Sequence, residues 1–178
     1  ESPLFGNAGS SEISTLNSYI NLTANSEDLD LNVVTRVYEK LDAANSDRYE
    51  FVFPSYSLNK NIKNNSLTGN LSFNSSGSQH FYDTNIVETQ IINDLLYNSE
   101  DNFLDNGLKN NYSVLFKNVN SEGKNSSSYK ESLQSELLSS FVFRSSYPLL
   151  REGINFNNYL TPKISLRYSP NNMKNKSG

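Results

Sequence analysis

"YKESLQSELLSSFVFRSSYPL", residues 129–149, alternates. The odd positions from Leu133 are Leu133, Ser135, Leu137, Ser139, Phe141, Phe143, Ser145 and Tyr147. The even ones are Lys130, Ser132, Gln134, Glu136, Leu138, Ser140, Val142 and Arg144. Successive side chains of a strand point to opposite faces, so this pattern predicts a β-strand with one apolar and one charged, Ser-rich face. Leu138 and Val142 are exceptions on the polar side. The run is long, because strands of soluble proteins usually cover about 5–6 residues.

The same period of 2 recurs along the chain, and helical periodicity is nearly absent. "DLDLNVVTRVYEKL" places Leu29, Leu31, Val33, Thr35 and Val37 opposite Asp30, Asn32, Arg36 and Lys40. "RYEFVFPSYSL" groups Tyr49, Phe51 and Phe53, and "SLTGNLSFN" groups Leu67, Gly69, Leu71 and Phe73. "DTNIVETQIINDLLY" sets Val87, Thr89, Ile91, Leu95 and Tyr97 against Glu88, Gln90 and Asp94, with Ile92 and Leu96 out of phase. "LKNNYSVLFK" sets Leu108, Tyr112, Val114 and Phe116 against Lys109, Asn111, Ser113 and Lys117. "NYLTPKISLRY" sets Leu160, Ile164, Leu166 and Tyr168 against Thr161, Lys163, Ser165 and Arg167, and a weaker opening run offers Leu16, Ile20 and Leu22.

The connections are polar and rich in Asn, Ser, Gly and Asp, as turns are. None has room for the helix of a crossover unit, so consecutive strands are expected to pair antiparallel. The expected fold is all-β: an antiparallel meander of about eight long strands, an open curved segment of a large outer-membrane β-barrel. Pro54 and Pro162 fall inside strand patterns and mark a bulge, a strand start or a break.

Composition sets further bounds. The chain has 178 residues, 35% of them hydrophobic, and a mean hydropathy of −0.60, poor for a globular core. Its 11 Tyr and 10 Phe are nevertheless not a disordered composition. The absence of Cys excludes disulfides and thiolate metal sites. Net charge is −4 without a basic stripe, which argues against nucleic-acid binding. No run approaches the roughly 18 apolar residues of a transmembrane helix. The first residue is not Met, no signal peptide opens the chain, and the ends "ESPLFGNAGS" and "NNMKNKSG" read as cuts, so an excerpt of a longer protein is expected.

Catalytic patterns are missing. His80 stands alone, no G-x-S-x-G elbow occurs, and "DNFLDNG" fails the calcium-loop pattern because Phe103 and Asn106 occupy its third and sixth places. No enzyme activity, cofactor or metal is expected. The sequons at Asn21 and Asn70 follow from a chain that is roughly a third Ser and Asn.

Long strand patterns, charge confined to one face and Tyr49, Tyr97, Tyr147 and Tyr168 near strand ends suit a membrane barrel, whose tilted strands need about 9–11 residues and whose rims carry aromatic residues. A soluble sandwich alternates too. Seven polar residues are the expected lumen-facing set: Arg36, Glu88, Asp94, Lys109, Glu136, Arg144 and Arg167. The cations among them are expected either to pair with Glu88, Asp94 or Glu136 across the lumen or to touch passing anions.

In order and spacing, "FPSYSL" at 53–58, "SYPL" at 146–149 and "LTPKISLRYSPN" at 160–171, with the segments between, resemble the C-terminal β-barrel of the LPS-assembly protein LptD family (organic solvent tolerance protein), closest to its alphaproteobacterial members. The resemblance is strongest over residues 29–174, within one partial barrel domain spanning 1–178. It implies a cell outer-membrane protein of about 26 strands that takes lipopolysaccharide from a periplasmic bridge and inserts it into the outer leaflet. It also implies partners: lipopolysaccharide, outer-membrane lipid, an LptE-like plug lipoprotein and the periplasmic bridge proteins. The family's periplasmic domain and disulfides have no counterpart here. Two other functions share the alternation: a porin-like channel segment, and a soluble secreted surface or adhesin domain.

Overall fold

The computed structural model describes residues 14–44, 48–63, 67–82, 85–154 and 156–170; the two ends discussed above lie outside them. The described residues contain strands and turns but no helix. The strands are β1 (Thr15–Asn25), β2 (Leu29–Lys40), β3 (Tyr49–Ile62), β4 (Gly69–Tyr82), β5 (Ile86–Ser99), β6 (Asn102–Phe103), β7 (Lys109–Lys124), β8 (Gln134–Ser146), β9 (Leu149–Glu152), β10 (Asn157–Leu160) and β11 (Lys163–Tyr168).

Eight of them form one antiparallel path, β1-β2-β3-β4-β5-β7-β8-β11, with the short β6 paired to β7. The sheet is a meander and does not close on itself. The weak opening pattern is a full strand of 11 residues, paired to β2 along its whole length. The strand within residues 129–149 is shorter than its alternation promised. β8 begins at Gln134, and residues before it form a loop whose Lys130 carbonyl accepts from the Gly123 amide at 2.8 Å. A side chain at Gly123 would meet Ser126 and Tyr129 within 3 Å, so that return of the loop needs the glycine.

The connection between β8 and β11 is not a simple loop. Ser146 pairs with Lys163, and Leu149 pairs with Leu160 in the same frame. The amide of Tyr147 donates to the Pro162 carbonyl at 3.0 Å between them. Thus β9 and β10 continue one hairpin past Pro148 and Pro162, which lack the amide a ladder needs and interrupt the strands there. Pro162 sits directly before β11.

Pro54 marks a bulge. β2 advances from Val34 to Arg36 while β3 passes from Ser55 to Val52, and β4 opposite shows the same offset. The extra residue on β3 reverses which parity faces which side. Tyr49 and Phe51 share a face before it, and Tyr56 and Leu58 join that face after it. Without the bulge, "SYSL" would turn its apolar side chains to the opposite surface.

The polar face as candidate functional site

Pair registers assign a face to every residue of the sheet, because residues directly opposite one another share a side. One face carries Leu22, Val33, Phe51, Tyr56, Phe73, Leu95, Phe116, Phe141 and Leu166; the other carries all seven residues of the expected set. Every buried side chain among the described residues belongs to the polar face: Val34, Val52, Ser113, Val119, Ser121 and Glu136. A one-layer sheet buries a side chain only by crowding it with neighbours, as happens on the inner side of a coiled sheet. The apolar face stays open. Phe116 and Leu137 are 47% and 60% exposed.

The polar face has three parts. At one end, around the start of β5, the Glu50 carboxylate lies 3.4 Å from His80 Nδ1, and Ser126 Oγ donates to Glu88 at 2.6 Å. The loop after β7 brings that serine back over the sheet. In the middle, Lys117 Nζ binds the Asp94 carboxylate at 2.8 Å. Around this pair lies an apolar cluster: Ile92 opposite Val119, Leu96 opposite Leu115, and Leu138 opposite Lys117. The out-of-phase Ile92, Leu96 and Leu138 belong here, while Val142 lies further along, opposite Ser113 and Arg167. Pattern reading along one strand cannot find such a cluster, since its members meet only across strands.

The far end is basic. Lys109 and Lys163 flank Ser146 on the same rung. Arg144 lies one rung below between Asn111 and Ser165, and Arg167 lies opposite Val142. Lys109 binds Asp101 at 2.6 Å, and that ammonium, with the Asn111 amide, holds the Asp101 carboxyl below its ordinary range. Arg144 and Arg167 touch only hydroxyls, Ser113 Oγ at 3.4 Å and Ser140 Oγ at 3.3 Å. Two of the expected acidic partners make other contacts. Asp94 takes Lys117, Glu88 takes a serine, and Lys109 takes a loop aspartate. Arg36 is exposed on β2 near Glu50, on the edge of the His80 cluster.

The apolar face holds one polar feature the alternation did not suggest. Tyr56 Oη meets Ser75 Oγ at 3.2 Å, which donates to Asn93 Oδ1 at 2.7 Å; Asn93 Nδ2 donates to Asn118 Oδ1 at 3.3 Å, and Asn118 Nδ2 reaches Ser135 Oγ at 3.4 Å. One hydrogen-bonded row thus crosses five strands. The Tyr56 ring lies over Gly77, where a Cβ would come within 2.7 Å of it. Each group in the row finds its partner in a neighbouring strand, which is how polar groups persist in apolar surroundings.

No protein-family model and no curated protein matches the sequence.

Proposed function

We propose that this chain is a wall segment of a large outer-membrane β-barrel, with the apolar face against lipid and the polar face lining a water-filled lumen, in a protein that receives lipopolysaccharide and inserts it into the outer leaflet. The observation that carries the barrel reading is the sheet's inversion: its crowded side is polar and its open side is apolar. A water-soluble sheet hides its apolar side beneath a second layer, and none covers it among the described residues.

The course of the apolar belt supports the same reading. Leu16, Ile20 and Leu22 stand level with the first half of β5, whereas Phe141, Phe143 and Leu166 stand level with its last residues. At the level of Val87 to Ile91, β7 instead shows Asn120, Glu122 and Lys124 on that face. The belt drifts by about one residue per strand. A strand tilt of about 40° shifts a horizontal plane by roughly 4 Å between neighbours some 4.8 Å apart, close to one residue's rise. A belt drawn at this slant on the sheet is therefore level on a tilted barrel wall.

The lipopolysaccharide part rests on the family resemblance and on the chemistry of the polar face, which offers hydroxyls, amides and guanidinium groups to a sugar-phosphate head. These 178 residues contain no Cys, so an introduced cysteine is unique within them. In the full-length protein in vesicles, a fluorophore on Leu95→Cys should be quenched by brominated acyl chains, and one on Ser76→Cys should not. Equal quenching, or recovery of the protein in the soluble periplasmic fraction, sinks the barrel reading. Depleting the protein should lower lipopolysaccharide in the outer leaflet; unchanged amounts there would count against the transport role alone.

A further inference from the structure

We propose that a groove at the charged margin of the apolar face holds the headgroup of a zwitterionic phospholipid with a primary ammonium, such as phosphatidylethanolamine. The groove lies over β4, β5 and the end of β7, has a volume of about 440 Å³, and is lined by Gln79, Val87, Thr89, Glu122, Lys124 and Glu131. Val87 stands opposite Lys124 and Thr89 opposite Glu122, which puts them on the apolar side of the sheet. The level on the wall suits a headgroup. From Tyr112 to Glu122 along β7, at about 3.4 Å per residue and a tilt of about 40°, the wall climbs roughly 26 Å. The apolar band of a membrane barrel is about 25 Å tall and carries aromatic residues at its rims. Tyr112, whose ring lies 5.7 Å from that of Tyr97, marks one rim. Glu122 and Lys124 then stand at the other, where headgroups lie. Val87 and Ile91 on the neighbouring β5 bring apolar surface alongside, for the start of the acyl chains.

The charges around the groove select the ligand. Glu122, Lys124 and Glu131 form no ion pair among the described residues. Glu39, on the same face and toward the same end of the sheet, shows the contrast, because Arg48 already matches it. Two carboxylates beside one ammonium leave negative charge in excess, which a further cation would balance. A bare cation would be opposed by Lys124, whereas a ligand of both signs meets all three groups. Its ammonium donates to Glu122 and Glu131, and its phosphate takes Lys124 as a point charge. A primary ammonium has three N–H donors for these carboxylates; a quaternary one has none. Gln79 and Thr89 add neutral donors for phosphate and ester oxygens. The site rests on the barrel reading, which sets this face against lipid.

The test is native mass spectrometry of the intact protein, released from non-ionic micelles that hold equal amounts of phosphatidylethanolamine, phosphatidylcholine and phosphatidylglycerol with matched chains. Phosphatidylethanolamine adducts should dominate, because choline cannot donate to the carboxylates and the anionic glycerol lipid is repelled by them. The double variant Glu122→Gln, Glu131→Gln should lower those adducts about tenfold, the effect of losing a charge-assisted hydrogen bond, and erase the preference over phosphatidylcholine. Lys124→Gln should weaken both zwitterionic lipids alike, through their shared phosphate. Lys63→Gln, which removes a paired cation at the opposite end of the sheet, should change nothing. All four side chains are exposed, and heat-modifiable gel mobility verifies that each variant folds. Equal adducts of phosphatidylethanolamine and phosphatidylcholine on the unaltered protein, or unchanged adducts on the folded double variant, overturn the site. A protein that needs micelles yet prefers none of the lipids removes the site and leaves the barrel wall. A protein that stays monomeric without detergent removes the wall, and the site with it.

Discussion

The two faces of one sheet handle their polar groups in opposite ways. On the polar face, charges are compensated locally: Lys117 by Asp94, Lys109 by Asp101, and Glu88 by a serine hydroxyl. At the Arg144 end, Arg144 and Arg167 meet hydroxyls instead. On the apolar face, polar side chains carry no charge at the centre of the sheet and bond mainly to each other, in the row from Tyr56 to Ser135. Formal charge on that side sits toward its margins, as with Glu39, which accepts from Arg48 Nε at 2.7 Å and raises the guanidinium's pKa. The difference agrees with the surroundings that the proposed barrel gives each face. Charge tolerates water and needs a partner only where water is thin; uncharged amides in a row suit a surface where water is absent.

The contrast breaks most visibly at Phe141. Its ring packs 6.2 Å from Tyr112 on the open apolar face. Phe141→Arg should cost about 2–4 kcal/mol of folding stability in lipid vesicles if the site lies near the midplane. The natural control by sequence is the neighbouring Ser140, but Arg167 already donates to its hydroxyl. Ser76, exposed on the polar face, is the cleaner control, and Ser76→Arg should be nearly neutral. Heat-modifiable gel mobility reads both. Equal losses would erase the distinction between the faces.

Next comes the polar row. Asn93→Leu fills the space with an apolar group but strips a partner from both Ser75 and Asn118. The expected loss is about 1–3 kcal/mol, measured by urea unfolding in vesicles. A stabilised variant would mean that the row contributes nothing in its surroundings. The Lys117–Asp94 pair should matter somewhat less. Its side chains retain 32% and 25% exposure, which places it between surface and buried pairs. Lys117→Met should cost about 1–2 kcal/mol, because the Asp94 charge is left beside Leu138. The double variant with Asp94→Leu should recover part of that loss, and a strictly additive double variant would deny the coupling.

The smallest effect concerns the exposed Lys109–Asp101 pair. Because folding lowers the Asp101 pKa, its contribution is present above the ordinary carboxylate range and fades as pH falls through the folded value. Asp101→Asn should flatten this acid-side slope and change stability little at neutral pH. Unfolding curves collected from neutral to acid pH check it; an unchanged slope would show that the contact does not hold in solution.

Much of this was legible in residues alone. Side chains alternate with a period of 2, so the alternation of Leu29 to Val37, Val87 to Tyr97 or Ser135 to Ser145 divides each strand into two faces before any partner is known. The all-β class, the meander and the shared face of Arg36, Glu88, Asp94, Lys109, Glu136, Arg144 and Arg167 follow from that local geometry and the short polar connections. What needed the tertiary structure lies across strands. The added residue at Pro54 keeps Tyr56 on the side of Phe51 only because β2 and β4 step past it together. The pairing of β9 with β10 was not legible: most of β10 lies in the alternation read for β11, and the four residues of β9 give too little alternation to register. Asn93 meets Ser75 and Asn118, and Arg144 meets the Ser113 hydroxyl, through registers fixed by pairing over tens of residues. Alternation is a property of one strand's backbone, whereas the partner of a side chain depends on how that strand is aligned with its neighbours.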